Sequence, residues 1–327
     1  MANPSFDGIF RLDPVGGKRR YSVVFVIVYG ALRSGTTLLR LMMDMHPQLD
    51  CPGETDFLFD YLRFDADGQG TIDADALARN RIYQASPARL NPDLRGEAAI
   101  RDMIEQLRQN PEARVVLMLH RGLEKALRLF PGTPVLHMLR DPRDVARSSI
   151  GMGWAGTVYH GVQHWIKTER EWDRVVAAHP QGNFMPLRYE DLITQPKVEL
   201  ERLANAFGVP FDVAMLDYHQ NSTYAPPDTS LVEQWKRKQT PQEVALVEGR
   251  LGAMLTDRGY APSGHAPVTP QGAERAALWL RDKQAVWKTR IGRYGVIDPV
   301  LVGLAKRLRI PPLGYAAQQR INRKTVK

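Results

Sequence analysis

The stretch GALRSGTT, Gly30 to Thr37, follows the apolar run YSVVFVIVY. It nearly spells G-x-x-x-x-G-K-[ST], a loop whose backbone N–H groups cradle phosphates while its lysine reaches the terminal ones. Gly30, Gly35 and Thr37 fit, but Thr36 stands at the lysine position and Arg33 lies inside the loop. A strand, a glycine-rich turn and a helix start form an anion site, because N–H groups converge there and the helix dipole favours negative charge. Arg33 supplies a cation, and Ser34, Gly35, Thr36 and Thr37 supply amides and hydroxyls.

A second group of residues lies in LRDPRDVARSS. Arg140 ends an apolar strand pattern, and open α/β sheets bind ligands at the carboxyl ends of their strands. Asp141 suits a helix N-cap, Pro142 the first helical position and Asp144 the first turn. Ser148 then falls two turns into the helix, so Arg140 and Ser148 can clasp a second anion. The plainer alternative pairs Arg140 and Arg143 with Asp141 and Asp144. Two groups suit proton transfer: Glu54 in CPGETDF and His120 at the end of RVVLMLH. Histidine suits a base at its ordinary pKa, whereas Glu54 needs its value raised by burial. A sulfuryl group carries less charge than a terminal phosphoryl group. A loop with one cation and no lysine therefore suits sulfuryl transfer without a metal better than ATP with Mg²⁺.

RSGTTLL and RDPRDVARSS together resemble the cofactor motifs of PAPS-dependent sulfotransferases of bacterial type, related to the protein-tyrosine sulfotransferase branch. The resemblance runs over about residues 22–262, through YEDL, EQWKRKQTPQE and DRGY. It implies PAPS as donor, PAP as product and no metal. It assigns the 5′-phosphosulfate to Arg33, Ser34, Gly35, Thr36 and Thr37, and the 3′-phosphate to Arg140 and Ser148. Tyr189 matches a position near the cofactor, and Trp235 lies in a segment resembling one that closes over it. GETD resembles the GEET stretch of the tyrosine branch and matches its glutamate base at Glu54. His120 resembles the catalytic histidine of cytosolic small-molecule sulfotransferases, although their KTHLP sequence is absent. Glu54 is therefore the first expectation for the base, with His120 as the other candidate, orienting or polarising. The tyrosine branch has a serine where this chain has Glu233, which argues against carrying over its acceptor.

These residues need a scaffold. Residues 23–29 read as a buried strand, followed by a helix in TTLLRLMMDMHP. Further strands are expected at 114–120, 134–140 and within NFMPLRYEDL, where Pro186 marks an edge or a strand start. Helical patterns lie in EAAIRDMIEQLRQN, in LEKALRLF, in VYHGVQHWIKTEREWDRVV (stripe Val158, Val162, Trp165, Ile166, Trp172) and in VELERLANAFG (Val198, Leu200, Leu203, Phe207, with Gly208 as cap). Alternating strands and helices predict an α/β, P-loop-NTPase-like three-layer fold with a central, mostly parallel sheet and a helical C-terminal extension. The expected division is an N-terminal segment 1–21, a sulfotransferase domain 22–262 with a helical and loop insertion at 61–112 near the acceptor site, and a basic helical extension 263–327.

Composition is that of a globular protein, 43% hydrophobic and 24% charged. The lone Cys51 excludes an internal disulfide and suits a reducing compartment. The N-terminal stretch lacks the apolar region of a secretory signal, and no apolar run is long enough to span a bilayer. A cytoplasmic protein is expected, with peripheral contact at the inner membrane surface. Residues 301–327 hold seven basic residues and no acid, so the rest of the chain carries only +1 of the net +8. That tail suits an anionic membrane, and its thin aromatic interleaving argues against nucleic acid. DADGQGTIDADA has acids at several calcium-loop positions but Ala76 where the bidentate glutamate belongs, so a polar turn capping the next helix is expected. His160 and His164 have the spacing of paired metal ligands without a third. The expected acceptor is a sugar hydroxyl of a glycan or glycolipid, with tyrosine or a phenol as the alternative. Other classes are an ATP-dependent small-molecule kinase and a non-catalytic nucleotide-binding membrane protein.

Overall fold

Continuous apolar runs become strands that are covered on both faces. The computed structural model describes residues 25–308 and 310–325, so the expected segment 1–21 lies outside the described residues. In chain order the strands are β1 (Phe25–Gly30), β2 (Leu49–Asp50), β3 (Leu62–Phe64), β4 (Gly70–Ile72), β5 (Arg114–Leu119), β6 (Val135–Leu139) and β7 (Phe184–Arg188). Five of these form one parallel sheet in the order β2-β5-β1-β6-β7. β3 and β4 pair separately as an antiparallel ribbon. Side chains along β1 alternate between two cores. Val26 and Val28 pack with Leu39, Met42, Leu200 and Phe207 on one face. Ile27 and Tyr29 pack with Phe57, Ile100, Leu117 and Leu127 on the other. The result is a three-layer, P-loop-like α/β fold with a helical C-terminal region. Pro186 lies on β7, the edge strand, where its missing N–H costs no ladder bond.

The chain gathers into two compact units, each drawn from two stretches. One runs to Arg140 and resumes over His164–Val232; the other comprises Asp141–Gln163 and Glu233 onward. Both β-structures and both cores belong to the first. The second is helical, with helices Pro142–Gly151, Val158–Gly161, Pro241–Leu251, Gly272–Tyr294, Ile297–Leu308 and Pro311–Thr325.

Several local patterns resolve differently from expectation. The long pattern beginning at Val158 divides into helices Val158–Gly161 and Gln163–Ala178. In helix Pro196–Ala206, Leu200 and Leu203 are buried, as is Phe207 just beyond it, but Val198 is 54% exposed. Two residues before Leu200 is nearly half a helical turn away, on the opposite side. Asp65 caps the β3–β4 turn by accepting from the N–H groups of Asp67 and Gln69. Asp73 caps helix Ala74–Ala78 as expected for a polar turn, while Asn80 caps a separate helix, Arg81–Ala85.

Candidate active site

Parallel strands deliver their carboxyl ends to one side of a sheet, and β5, β1 and β6 are neighbours. His120, the loop Gly30–Thr37 and Arg140 follow those three ends directly. Topology thus gathers residues that are far apart in sequence.

The loop is built around left-handed backbone. Arg33 has φ 73° and Gly35 φ 93°, and such a conformation at a non-glycine residue is strained. Gly35 has a second constraint, since an added Cβ would run into the Tyr189 ring and lie 3.0 Å from Met138 Cε. Helix Thr36–Asp44 begins at Gly35 with no side-chain cap. Its first N–H groups are therefore available to an anion. Ser34 is fully buried, and its Oγ has no hydrogen-bond partner among the described residues. His164 Nε2 donates to the Leu32 carbonyl at 2.9 Å and ties the loop to helix Gln163–Ala178. Burial pushes the His164 pKa below its usual 6.5, with the charges of His120 and Arg33 acting in the same direction.

Arg140 is also buried, and among the described residues it forms no ion pair. Nη1 donates to the Arg33 carbonyl at 3.1 Å and Nη2 to the Leu231 carbonyl at 3.3 Å. Its guanidinium lies 4.1 Å from the centroid of the Tyr189 ring, and Nε is without a partner. A buried guanidinium held only by carbonyls and an aromatic face lacks a negative partner. Tyr189, the first residue of helix Tyr189–Thr194, thus touches Arg140 and fills the space beside Gly35.

His120 joins this loop to a carboxylate. Its Nδ1 lies 2.9 Å from Asp56 Oδ2, its N–H donates to Asp56 Oδ1 at 2.8 Å, and Nε2 lies 3.2 Å from Thr36 Oγ1. With Nδ1–H donated to the carboxylate, Nε2 is the ring atom left to pair with the Thr36 hydroxyl. Burial alone would raise the Asp56 carboxyl, but hydrogen bonds and charge from His120, with Arg121, hold it below its usual 3.8. Glu54 forms a parallel bridge with Met118, two residues before His120, and is exposed, so the burial expected around it is not found. Its charge is felt at Arg121. The structure therefore brings Arg33 to Thr37, His120, Arg140 and Tyr189 together, with Glu54 entering beside β5 and His120 just beyond it. Asp56 is the residue that sequence reasoning missed. An acid before the apolar FLF looks like a helix cap, yet it makes no side-chain cap bond to helix Phe57–Asp60.

The second unit holds the other sequence-predicted residues. Ser148 is half-buried in helix Pro142–Gly151, whose N-cap Asp141 accepts from the Arg143 N–H. The acid–base pairing alternative applies to Arg143, which meets Asp141 and Glu248 at 2.7 Å each. Trp235 is buried, lies under the Arg143 guanidinium at 3.8 Å and donates its backbone N–H to Asp144 at 2.7 Å. His160 Nδ1 lies 2.8 Å from Thr157 Oγ1 and 3.7 Å from Asp282 Oδ1.

A parallel α/β sheet with an uncapped, lysine-free loop and a buried arginine that forms no ion pair among the described residues makes a site suited to an anion. The chain belongs to the sulfotransferase family, whose model matches residues 26–213. Protein-tyrosine sulfotransferase A of Caenorhabditis elegans is 22% identical over 274 residues, covering 74% of this chain and 69% of its own. The protein-tyrosine sulfotransferase of Drosophila melanogaster is 21% identical over 272 residues, covering 74% of this chain and 52% of its own. Among solved structures, the sulfotransferase domain from the curacin biosynthetic pathway matches with a TM-score of 0.55 at 19% identity. That match covers 74% of this chain and 99% of that one, and it is a likeness of fold.

Proposed function

We propose that this sulfotransferase moves a sulfuryl group from PAPS to an acceptor hydroxyl by in-line displacement. The observation that carries the reading is the buried Arg140, which among the described residues has no ion pair and no partner for Nε, tied to a loop whose buried Ser34 Oγ likewise has none among them. Both features fit an anionic group. PAPS, when bound, supplies a sulfuryl group on a phosphate leaving group, with a separate 3′-phosphate.

Arg33, with the amides and hydroxyls of Ser34, Gly35, Thr36 and Thr37, stabilises charge on the leaving oxygen. Arg140 and Ser148 are the residues assigned to the 3′-phosphate, with Tyr189 packing the Arg140 guanidinium. Trp235 belongs to the segment assigned to closure over the donor. Glu54, exposed beside β5, takes the acceptor proton as the acceptor oxygen bonds to sulfur and the S–O bond to phosphate breaks. His120, held by Asp56, orients the Thr36 side chain at the first turn of the helix that follows the loop. The domain 22–262 is proposed to carry this chemistry, without a metal, in the cytoplasm.

The names of the worm and fly relatives favour a tyrosyl hydroxyl as acceptor. A sugar hydroxyl of a glycolipid is the second reading, favoured by the exposed apolar and basic C-terminal helices. Label transfer from PAPS to tyrosine peptides and to glycolipids tests both. Glu54→Gln should lower turnover about 10²- to 10⁴-fold while PAP binding persists, and His120→Asn should lower it less. Transfer of phosphate from ATP, with none from PAPS, would overturn the reading.

A further inference from the structure

We infer that the C-terminal helices form a docking surface for an anionic lipid bilayer. This rests on the second unit alone and not on the proposed chemistry. Helix Ile297–Leu308 presents Ile297, Val300, Leu304 and Leu308 at a spacing of three, four and four residues, which places them on one stripe. They are 73%, 42%, 47% and 56% exposed. The opposite side is satisfied, with Ala305 buried against helix Pro311–Thr325, where Ala317 is also buried. The stripe thus lies away from the buried side of a packed helix pair and keeps more than two-fifths of each side chain exposed. Trp287 of helix Gly272–Tyr294 lies beside Gly303 and is partly exposed, as an aromatic at a membrane interface would be.

Charge decides what covers this face. From residue 295 onward the only acid is Asp298, and Arg320 Nε bonds it at 2.7 Å. Against it stand seven basic residues, of which Arg307, Arg320 and Arg323 are exposed, Arg320 being the one that meets Asp298. Arg307 comes three residues after Leu304, so it flanks the apolar stripe and can reach headgroups while its stem stays in apolar contact. A second copy of this chain would bring two strongly positive faces together. An anionic bilayer offers both complements, acyl chains for the stripe and phosphate or carboxylate for the bases. Among the described residues no helix is long and apolar enough to cross a membrane. The helices lie on the surface.

Flotation of the full chain, without PAPS, tests the inference. Vesicles of phosphatidylcholine with about 30 mol % phosphatidylserine should carry the protein, and pure phosphatidylcholine vesicles should not. Raising salt should release it. Ile297→Glu with Leu304→Glu should weaken binding about tenfold or more, while thermal unfolding and its response to PAP stay unchanged. Arg307→Ala with Arg323→Ala should weaken it to a similar degree, and this pair decides if the first does not fold. Absence of flotation overturns the inference, as does binding indifferent to salt and lipid charge. A concentration-dependent dimer dissolved by the Glu variants, without vesicle binding, assigns the face to a second copy instead.

Discussion

Asp56, His120 and Thr36 form a chain of hydrogen bonds whose direction follows from the carboxylate at one end. Asp56→Asn keeps the shape but lets an amide donate where Nδ1–H must, which turns the ring tautomer over. Turnover should drop about 100-fold with PAP affinity kept, and an equal loss of both would mean only that the site had collapsed. The same carboxyl is held below 3.8, so its contribution to stability is complete above that pH. It is lost as pH falls from 3.8 through the lowered value. Acid unfolding of Asp56→Asn should therefore lose that part of its slope. Arg140 gives the opposite kind of signal. Replacing a buried cation that lacks a carboxylate removes a desolvation cost, so Arg140→Met should unfold at an unchanged or higher temperature. Its response to PAP should vanish, and a retained response would remove Arg140 from the phosphate site.

The loop Gly30–Thr37 works as an element because its backbone, more than its side chains, is shaped for an anion. Gly35→Ala meets both a left-handed φ and the Tyr189 ring. A loss of about 2–4 kcal/mol is expected in denaturant unfolding, together with loss of PAP binding. A neutral result would mean that Tyr189 moves aside freely. His164 anchors the same loop, and its lowered pKa makes stability fall as pH drops from 6.5 through the folded value. In His164→Gln that segment of the pH dependence should flatten. At this scale the sequence was legible where one local pattern sufficed. VVFVIVY, residues 23–29, reads as a buried strand, and Arg140 reads as a strand-end residue because an apolar run precedes it. Asp56 was not legible, since its partner His120 is distant in sequence and meets it only through the β5 end. Glu248 was hidden for the same reason, joined to Arg143 across a still longer stretch of sequence. Within the expected helical extension 263–327, the paired prolines Pro311 and Pro312 mark where one helix ends and helix Pro311–Thr325 begins, since proline suits a first helical turn.

Within the helical unit, Arg143 is the hub that the motif's charged residues serve. Asp141 and Glu248 bond it, Trp235 stacks on it, and Gln239 Nε2 donates to its carbonyl at 2.7 Å. Arg143→Ala leaves two carboxylates buried without their cation and should cost about 3–5 kcal/mol, read by denaturant unfolding. A cost below 1 kcal/mol would mean water reaches the network. For the whole molecule the claim that matters most is a nucleotide carrying two separated anionic groups. Thermal unfolding of the full chain with PAP, with 5′-AMP, and with ATP plus Mg²⁺ tests it directly. At 100 times its dissociation constant a ligand adds about 2.7 kcal/mol. A clear upward shift with PAP and little with AMP is the predicted result. A shift with ATP alone, or none with any of the three, would contradict it.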